Sequence, residues 1–317
     1  MKRINQLFLV FSLALVLLAA ALASYRAGSP LTYLLALFKG ERERGSGFYT
    51  VLDENEQPLF QTGLLVHRGD RYLTSDNRLY EIYQVKGDNA YCRLIDLYRA
   101  DGELVPAASE TVAGRPVQGP PPEALANKLV FIYHTHSDES YVPTDGRPDI
   151  PGNGGIYQVG TVLADNLKEL GFPVIHDLGK HDPHDALAYT RSRRTVFNAL
   201  KNYHPYVLFD VHRDSAPARF YSVAIDNVPT AQIMIVVGRQ NPTMSTNLLF
   251  ARRLKETADT IYPNLVRGIF MAHGNYNQDL DPMNVLLEVG TEGQTRAEAE
   301  RAAALFARVV AAVVGSP

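Results

Sequence analysis

Cysteine occurs once in the 317 residues, at Cys92, so an internal disulfide framework is excluded. An excess of one charge is also missing. The 31 Lys and Arg residues against 34 Asp and Glu leave a net charge of −3 with the signs intermixed, and no basic footprint points to nucleic acid. Long apolar runs are scarce, with one exception at the N-terminus: "MKRINQLFLVFSLALVLLAAALASYRAGSP" carries Lys2 and Arg3 ahead of a run from Leu7 to Ala23 broken only by Ser12. That run approaches the roughly 17–25 residues that span a bilayer, and the positive flank predicts a cytoplasmic N-terminus with the remainder exported. Residues 1–26 are therefore expected to be a transmembrane anchor or signal. "ALA" at Ala21–Ala23 followed by Ser24 also matches a signal-peptidase site, which leaves anchored and released forms both open.

After this apolar segment the chain changes character twice. Residues 47–97 alternate polar and apolar in short pieces separated by turn signals, as in "RLYEIYQVKGDNAYCRLID", and predict a small β-rich module. Nothing in it assembles chemistry, and His67 reads as a surface or structural histidine. Residues 98–123, rich in Pro, Gly, Ala and Ser, read as a linker. From 124 to 317 apolar strands alternate with helical periodicity. In "YQVGTVLADNLKELG", for example, Val159, Val162, Leu163, Leu167 and Leu170 share one face and Gly171 is a stop. This pattern predicts an α/β fold: an open, mostly parallel sheet with helices on both faces. Sites in such folds gather at the carboxyl ends of the strands.

Three predicted strand ends carry one kind of chemistry. "IYHTHSDE" supplies His134, His136, Asp138 and Glu139, "YVLFDVHRDS" supplies Asp210, His212, Arg213 and Asp214, and "MNVLLEVGT" sets Glu288 inside an apolar strand. A carboxylate buried in that way is costly unless it has a partner or a job. Zinc takes imidazole and carboxylate donors, and a catalytic site uses three protein ligands plus water. The spacing H-x-x-E, a distant second histidine and a later glutamate is the order of zinc carboxypeptidase-like sites. His136, Glu139 and His212 are the expected metal ligands, with Glu288 as general base. Arg213 is a candidate for holding a substrate carboxylate or a developing oxyanion. His134, two residues before His136 and on the same strand face, is a candidate ligand, supporting partner or electrophile.

Other readings compete. His134, His136 and Asp138 fit the opening of a binuclear H-x-H-x-D metallohydrolase, although no histidine follows Asp138 and the segment is short for the roughly 250 residues of a (β/α)8 barrel. A membrane-tethered scaffold or wall-binding protein with a closed, structural metal site is the alternative from another class. His176, His181, His184 and His204 lack matching partners in the sequence and read as incidental. The loop after His273 reads as substrate-facing, while Asn241 and Asn247 read as helix anchors.

Four blocks, "IYHTHSDESY", "DVHRDS", "VGRQNP" and "YNQDLDPMNVLLEVGT", resemble the stage II sporulation protein P family in the same order, with a membrane segment upstream. The resemblance implies a zinc-dependent N-acetylmuramoyl-L-alanine amidase that degrades septal peptidoglycan during forespore engulfment. It further implies endopeptidase activity on stem-peptide cross-links, and partnership with stage II sporulation proteins D and M at the septal membrane, the catalytic domain facing the wall. Carried onto this chain, the metal and catalytic positions fall on the histidines of "HTHSDE", on His212 and on Glu288. One departure concerns the wider zinc amidases, whose second ligand is a glutamate at the start of the helix after the first strand. Here that region reads "NGGIYQVG", so Glu139 is the expected substitute.

Overall fold

The computed structural model describes residues 43–44, 47–97, 124–185 and 187–315. The expected membrane segment at 1–26 and the linker at 98–123 lie outside the described residues. Among the described residues, no helix is long and apolar enough to cross a membrane.

The described residues form thirteen strands: β1 (Tyr49–Leu52), β2 (Pro58–Thr62), β3 (Arg71–Thr74), β4 (Arg78–Lys86), β5 (Asn89–Leu97), β6 (Val130–Tyr133), β7 (Val174–His176), β8 (Val207–Asp214), β9 (Ser222–Ile225), β10 (Val228–Ala231), β11 (Ile233–Gly238), β12 (Val266–Ala272) and β13 (Asn284–Thr291). The helices are α1 (Val142–Asp145), α2 (Ile156–Glu169), α3 (Ala188–Tyr203), α4 (Met244–Ile261) and α5 (Arg296–Val314). Eleven strands form one sheet in the order β2-β1-β5-β4-β3-β12-β11-β13-β8-β6-β7, and β9 with β10 makes a separate hairpin. From β12 to β7 the neighbours are parallel except for β11 against β13. The mostly parallel sheet expected after residue 124 is present there, and strands β1 to β5, antiparallel except for β1 against β5, widen it into a mixed one.

The two faces of this sheet separate the core from the site, because side chains alternate across a strand. Val130 and Ile132 of β6, Val207, Phe209 and Val211 of β8, Ile233, Ile235 and Val237 of β11, and Val285, Leu287 and Val289 of β13 all point to one face. There they pack against Val159, Leu163 and Leu167 of α2, Phe250 and Leu254 of α4, and the Ala/Val-rich side of α5. Helix α2 stops where Gly171 takes a left-handed conformation (φ 102°). Helix α5 starts at a capping box in which Thr295 and Glu298 satisfy each other's backbone amides.

The opposite face is covered by α3 near β6 and by β1 to β5 near β11 to β13. Here the structure departs from the separate β-rich module expected at 47–97. Strand β3 pairs with β12, and Phe60 packs on Tyr72 and Phe270, with ring centroids 4.1 and 5.2 Å away. By hydrogen-bonding order β2 is the far edge of the sheet, yet the Gly63 amide just past it donates to Asp214 at the end of β8 (2.7 Å). The N-terminal half of the sheet therefore curls back over the C-terminal half. A β-carbon on Gly63 would lie 2.6 Å from the Ser215 side chain, so only glycine permits that approach. The physical cause of the fusion is the exposed apolar face of Met234, Val236, Phe270 and Leu286, which β1 to β5 bury.

Candidate metal and catalytic site

Strand alternation decides which polar groups meet. Asp210, His212 and Asp214 continue the parity of Leu208, and Glu288 that of Leu286, so these four sit on the face that carries α3 and the curled β segment. His212 and Glu288 are opposite one another in the parallel pairing of β8 with β13.

Past Tyr133 the chain leaves the strand and loops, and the two histidines of the HTH sequence part company. His134 keeps the parity of Val130 and Ile132 and points to the helical face. Its Nδ1 lies 2.8 Å from the Val211 carbonyl and its Nε2 2.8 Å from His176 Nε2, with the Tyr157 ring edge-on at 5.1 Å. Burial, reinforced by His176, lowers its pKa to about 3. The expectation that His134 and His136 share one face is thus corrected: the loop turns His136 across to His212. For the same reason the H-x-H pair does not converge as a binuclear H-x-H-x-D site requires. Asp138 turns to His184 instead, its Oδ1 3.2 Å from His184 Nδ1.

Glu139 lies between the other two expected metal ligands, although His212 belongs to neither of the donor groups, described below, whose atoms all lie within 4.8 Å of one another. Its Oε1 lies 3.0 Å from His136 Nδ1 and 3.2 Å from His212 Nδ1, and its Oε2 accepts the Arg213 backbone amide (2.9 Å). Burial alone would raise its pKa. The neighbouring His212 and Arg213 charges, with the hydrogen bonds from His136 and His212, hold it well below the usual carboxylate range. The Ile156 amide at the first residue of α2 donates to the Glu139 carbonyl (3.0 Å). The loop that carries Glu139 therefore doubles back to the helix start, where "NGGIYQVG" has no acidic residue. Gly154 makes this possible, since a β-carbon there would sit 2.5 Å from the Glu139 carbonyl oxygen.

His212 is held from its other side by Asp210, whose Oδ1 is 2.9 Å from Nε2. Asp210 is itself fixed by the Thr135 amide (2.8 Å) and hydroxyl (2.6 Å). Burial opposes a charge on His212, but Asp210 and Glu139 outweigh it and lift its pKa well above the ordinary value. A carboxylate behind an imidazole is the arrangement that orients metal-ligating histidines. Tyr189, in the first turn of α3, lies over the His212 ring at 6.3 Å and walls the site.

Glu288 is fully buried, and neither carboxylate oxygen has a hydrogen-bond partner among the described residues. Burial, with Asp214 next, pushes its pKa well above the usual range, and His212 only partly offsets that. Asp214 accepts from Gly63, Thr62 and Tyr221 and is pushed up to about 6 by burial. Arg213, expected as a free clamp for substrate, is buried and engaged. Its Nη2 is 2.7 Å from Asp149 Oδ1 and its Nη1 3.5 Å from Glu43 Oε2.

Two residues without a local sequence signal join the site. His184, read as incidental, stacks on His136 with ring centroids 3.8 Å apart. Asp138, Glu43 and Glu139 raise its pKa to about 9 against the opposing effect of burial. Glu43 lies ahead of β1. Donor atoms of Glu43, His136, Glu139 and His184 all fall within 4.8 Å of one another, and Asp138, Asp149 and His184 form a second such group. An imidazole and carboxylate donor set suits zinc, and the two orphaned oxygens of Glu288 beside it are the kind of buried group that a cation or polarised solvent satisfies. The residues fit a metal. Of the other histidines, His181 supports the loop through the His134 carbonyl (2.7 Å), and His204 is the left-handed residue that ends α3. Asn247 anchors α4 by donating to the carbonyls of Asp281, Pro282 and Asn284.

A family profile described as Stage II sporulation protein P (SpoIIP) matches residues 102–311. The stage II sporulation protein P of Bacillus subtilis (strain 168) is 30% identical over 213 residues, which cover 61% of this chain and 53% of that protein; the chain thus spans about half the length of this relative. Among solved structures, the N-acetylmuramyl-L-alanine amidase Ami1 of Mycobacterium smegmatis is similar at 15% identity, covering 61% of this chain and 99% of that one, with a TM-score of 0.40. The CwlD amidase of Clostridioides difficile, solved with the GerS lipoprotein, is similar at 10% identity, covering 57% of this chain and 96% of that one, with a TM-score of 0.40.

Proposed function

Because this chain belongs to the stage II sporulation protein P family, we propose that it is a zinc-dependent peptidoglycan hydrolase of sporulation that cleaves the amide between N-acetylmuramic acid and L-alanine. The observation that carries the reading is Glu288: a fully buried, unpartnered carboxylate in register with His212, whose imidazole shares Glu139 with His136.

In this reading His136, Glu139 and His212 hold the ion, and Asp210 fixes the His212 ring. A zinc ion bound there supplies Lewis acidity toward the amide carbonyl and a positive charge that lowers the proton affinity of solvent and of Glu288 beside it. Glu288 removes the proton from the attacking water and returns it to the leaving amine. Burial and the neighbouring Asp214 raise its proton affinity, which favours taking up that proton. Tyr189 and the curled β segment exclude bulk water from one side. Residues 1–26 would tether the chain to the mother-cell membrane with the site facing the septal wall, where stage II sporulation proteins D and M would be its partners. Cross-link cleavage is the second activity in this reading.

The test is digestion of purified sacculi with and without a chelator, with the newly exposed amine identified by mass spectrometry. Release of L-alanine amino groups that stops on chelation and returns with zinc is expected. Intact sacculi at full zinc loading would refute the reading.

A further inference from the structure

Glu43 stands before β1, far from the strand ends in sequence, yet its side chain is nine-tenths buried against them. Its Oε1 lies 3.6 Å from His136 Nδ1 and has no hydrogen-bond partner among the described residues. Its Oε2 lies 3.7 Å from His184 Nε2 and 3.5 Å from Arg213 Nη1. Its donor oxygen lies within 4.8 Å of donor atoms of His136, Glu139 and His184, a set of two imidazoles and two carboxylates of the kind that holds a divalent ion. Glu43 makes one antiparallel bridge to Leu64, and the Arg44 amide donates to Gly63 (2.8 Å). The Arg44 guanidinium pairs with Asp88, which is 72% exposed, an arrangement that stabilises little.

We propose that Glu43 is an additional protein ligand to the metal site, delivered in cis by the segment ahead of β1, which competes with solvent and substrate for the open coordination position. This rests on the metal reading given above. The chemistry follows from ligand count: three protein ligands leave room for solvent, whereas a fourth closes the site. The same carboxylate also pairs with Arg213, the group best suited to grip a substrate carboxylate or oxyanion. One side chain thereby occupies both features that a substrate needs.

The test uses the full chain, with Glu43→Gln and Glu43→Ala beside wild type. Zinc affinity is measured by competition with a chromophoric chelator. Access to the open position is measured by titrating the cobalt-loaded protein with acetohydroxamate and following the visible absorption. Both variants are expected to bind zinc about tenfold more weakly and acetohydroxamate at least about tenfold more tightly, with sacculus hydrolysis raised. Should either affinity in both variants stay within about twofold of wild type, Glu43 is not a ligand and the inference falls while the metal reading stands. If wild-type protein takes up no zinc, the metal reading falls and takes this inference with it.

Discussion

Glu288 and His212 are cross-strand neighbours on two parallel strands, one with both oxygens orphaned and the other set between the Glu139 and Asp210 carboxylates at 3.2 and 2.9 Å. The contrast separates their roles: a group with fixed partners suits holding an ion, and a group without partners suits moving a proton.

Replacing that unpartnered acid is the sharpest check on its role. Glu288→Gln should lower hydrolysis of sacculi by about 10²–10⁴-fold, the usual contribution of a general acid–base group. Zinc stoichiometry should be retained, and the fold should be no less stable, since a neutral amide is cheaper to bury there than a carboxylate. Loss of zinc along with activity, read by metal analysis, would instead make Glu288 a ligand.

Asp210 acts one step removed. In Asp210→Asn the His212 imidazole loses its charged partner, and zinc affinity should fall about 10–100-fold. Equilibrium dialysis reads this directly, and an unchanged affinity would mean that His212 needs no orienting carboxylate.

Gly160 tests how tightly the second histidine pair is packed. An alanine β-carbon there would lie 2.6 Å from both His134 Nε2 and His176 Nε2. Helix propensity favours Gly160→Ala by up to ~1 kcal/mol, but overpacking two pinned rings costs about 1–3 kcal/mol. A net loss of about 1 kcal/mol is expected in urea unfolding, and a gain in stability would show that the rings have room to move.

Acid should weaken the fold through His134. Its pKa, pushed down to about 3 from an ordinary value near 6.5, means that the unfolded chain takes up a proton the native state refuses between those values. The stability is therefore intact above about pH 6.5 and lost progressively as pH falls toward 3. Asp70 and Asp214, both raised to about 6, act in the opposite sense, so the expectation is best read as a difference. Unfolding free energies measured in chelator from pH 7.5 to 4.5 should slope less steeply for His134→Asn than for wild type. Equal slopes would contradict a buried neutral imidazole.

Phe60 reports on the covering layer. Phe60→Ala removes a ring packed against Tyr72 and Phe270 and should cost about 3–5 kcal/mol, with one cooperative transition retained. Two separate transitions would mean that β1 to β5 unfold independently of β11 to β13.

The parts that reached the site through strand periodicity were legible in the sequence. Apolar runs ending in His136, His212 and the run around Glu288 announce parallel strands whose ends must gather, and the structure brings Glu139 within reach of both histidines. Asp210 carried a signal too, two residues before His212 and hence on its face. The side on which His134 falls was not legible, because it depends on where β6 stops being extended, and a shift of one residue reverses the face. His184 and Glu43 were hidden for a different reason. Both arrive on loops from distant parts of the chain, and no spacing rule links them to His136. Nor does alternation within β1 to β5 announce that their inward side covers Met234, Val236 and Leu286 and not a core of their own.

That shared burial has a consequence for the stretch between residues 98 and 123. A cut anywhere within it would give two fragments, each with a half-lined interior open to water. Produced apart they should precipitate, and produced together they should find each other and restore the native assembly without a covalent join.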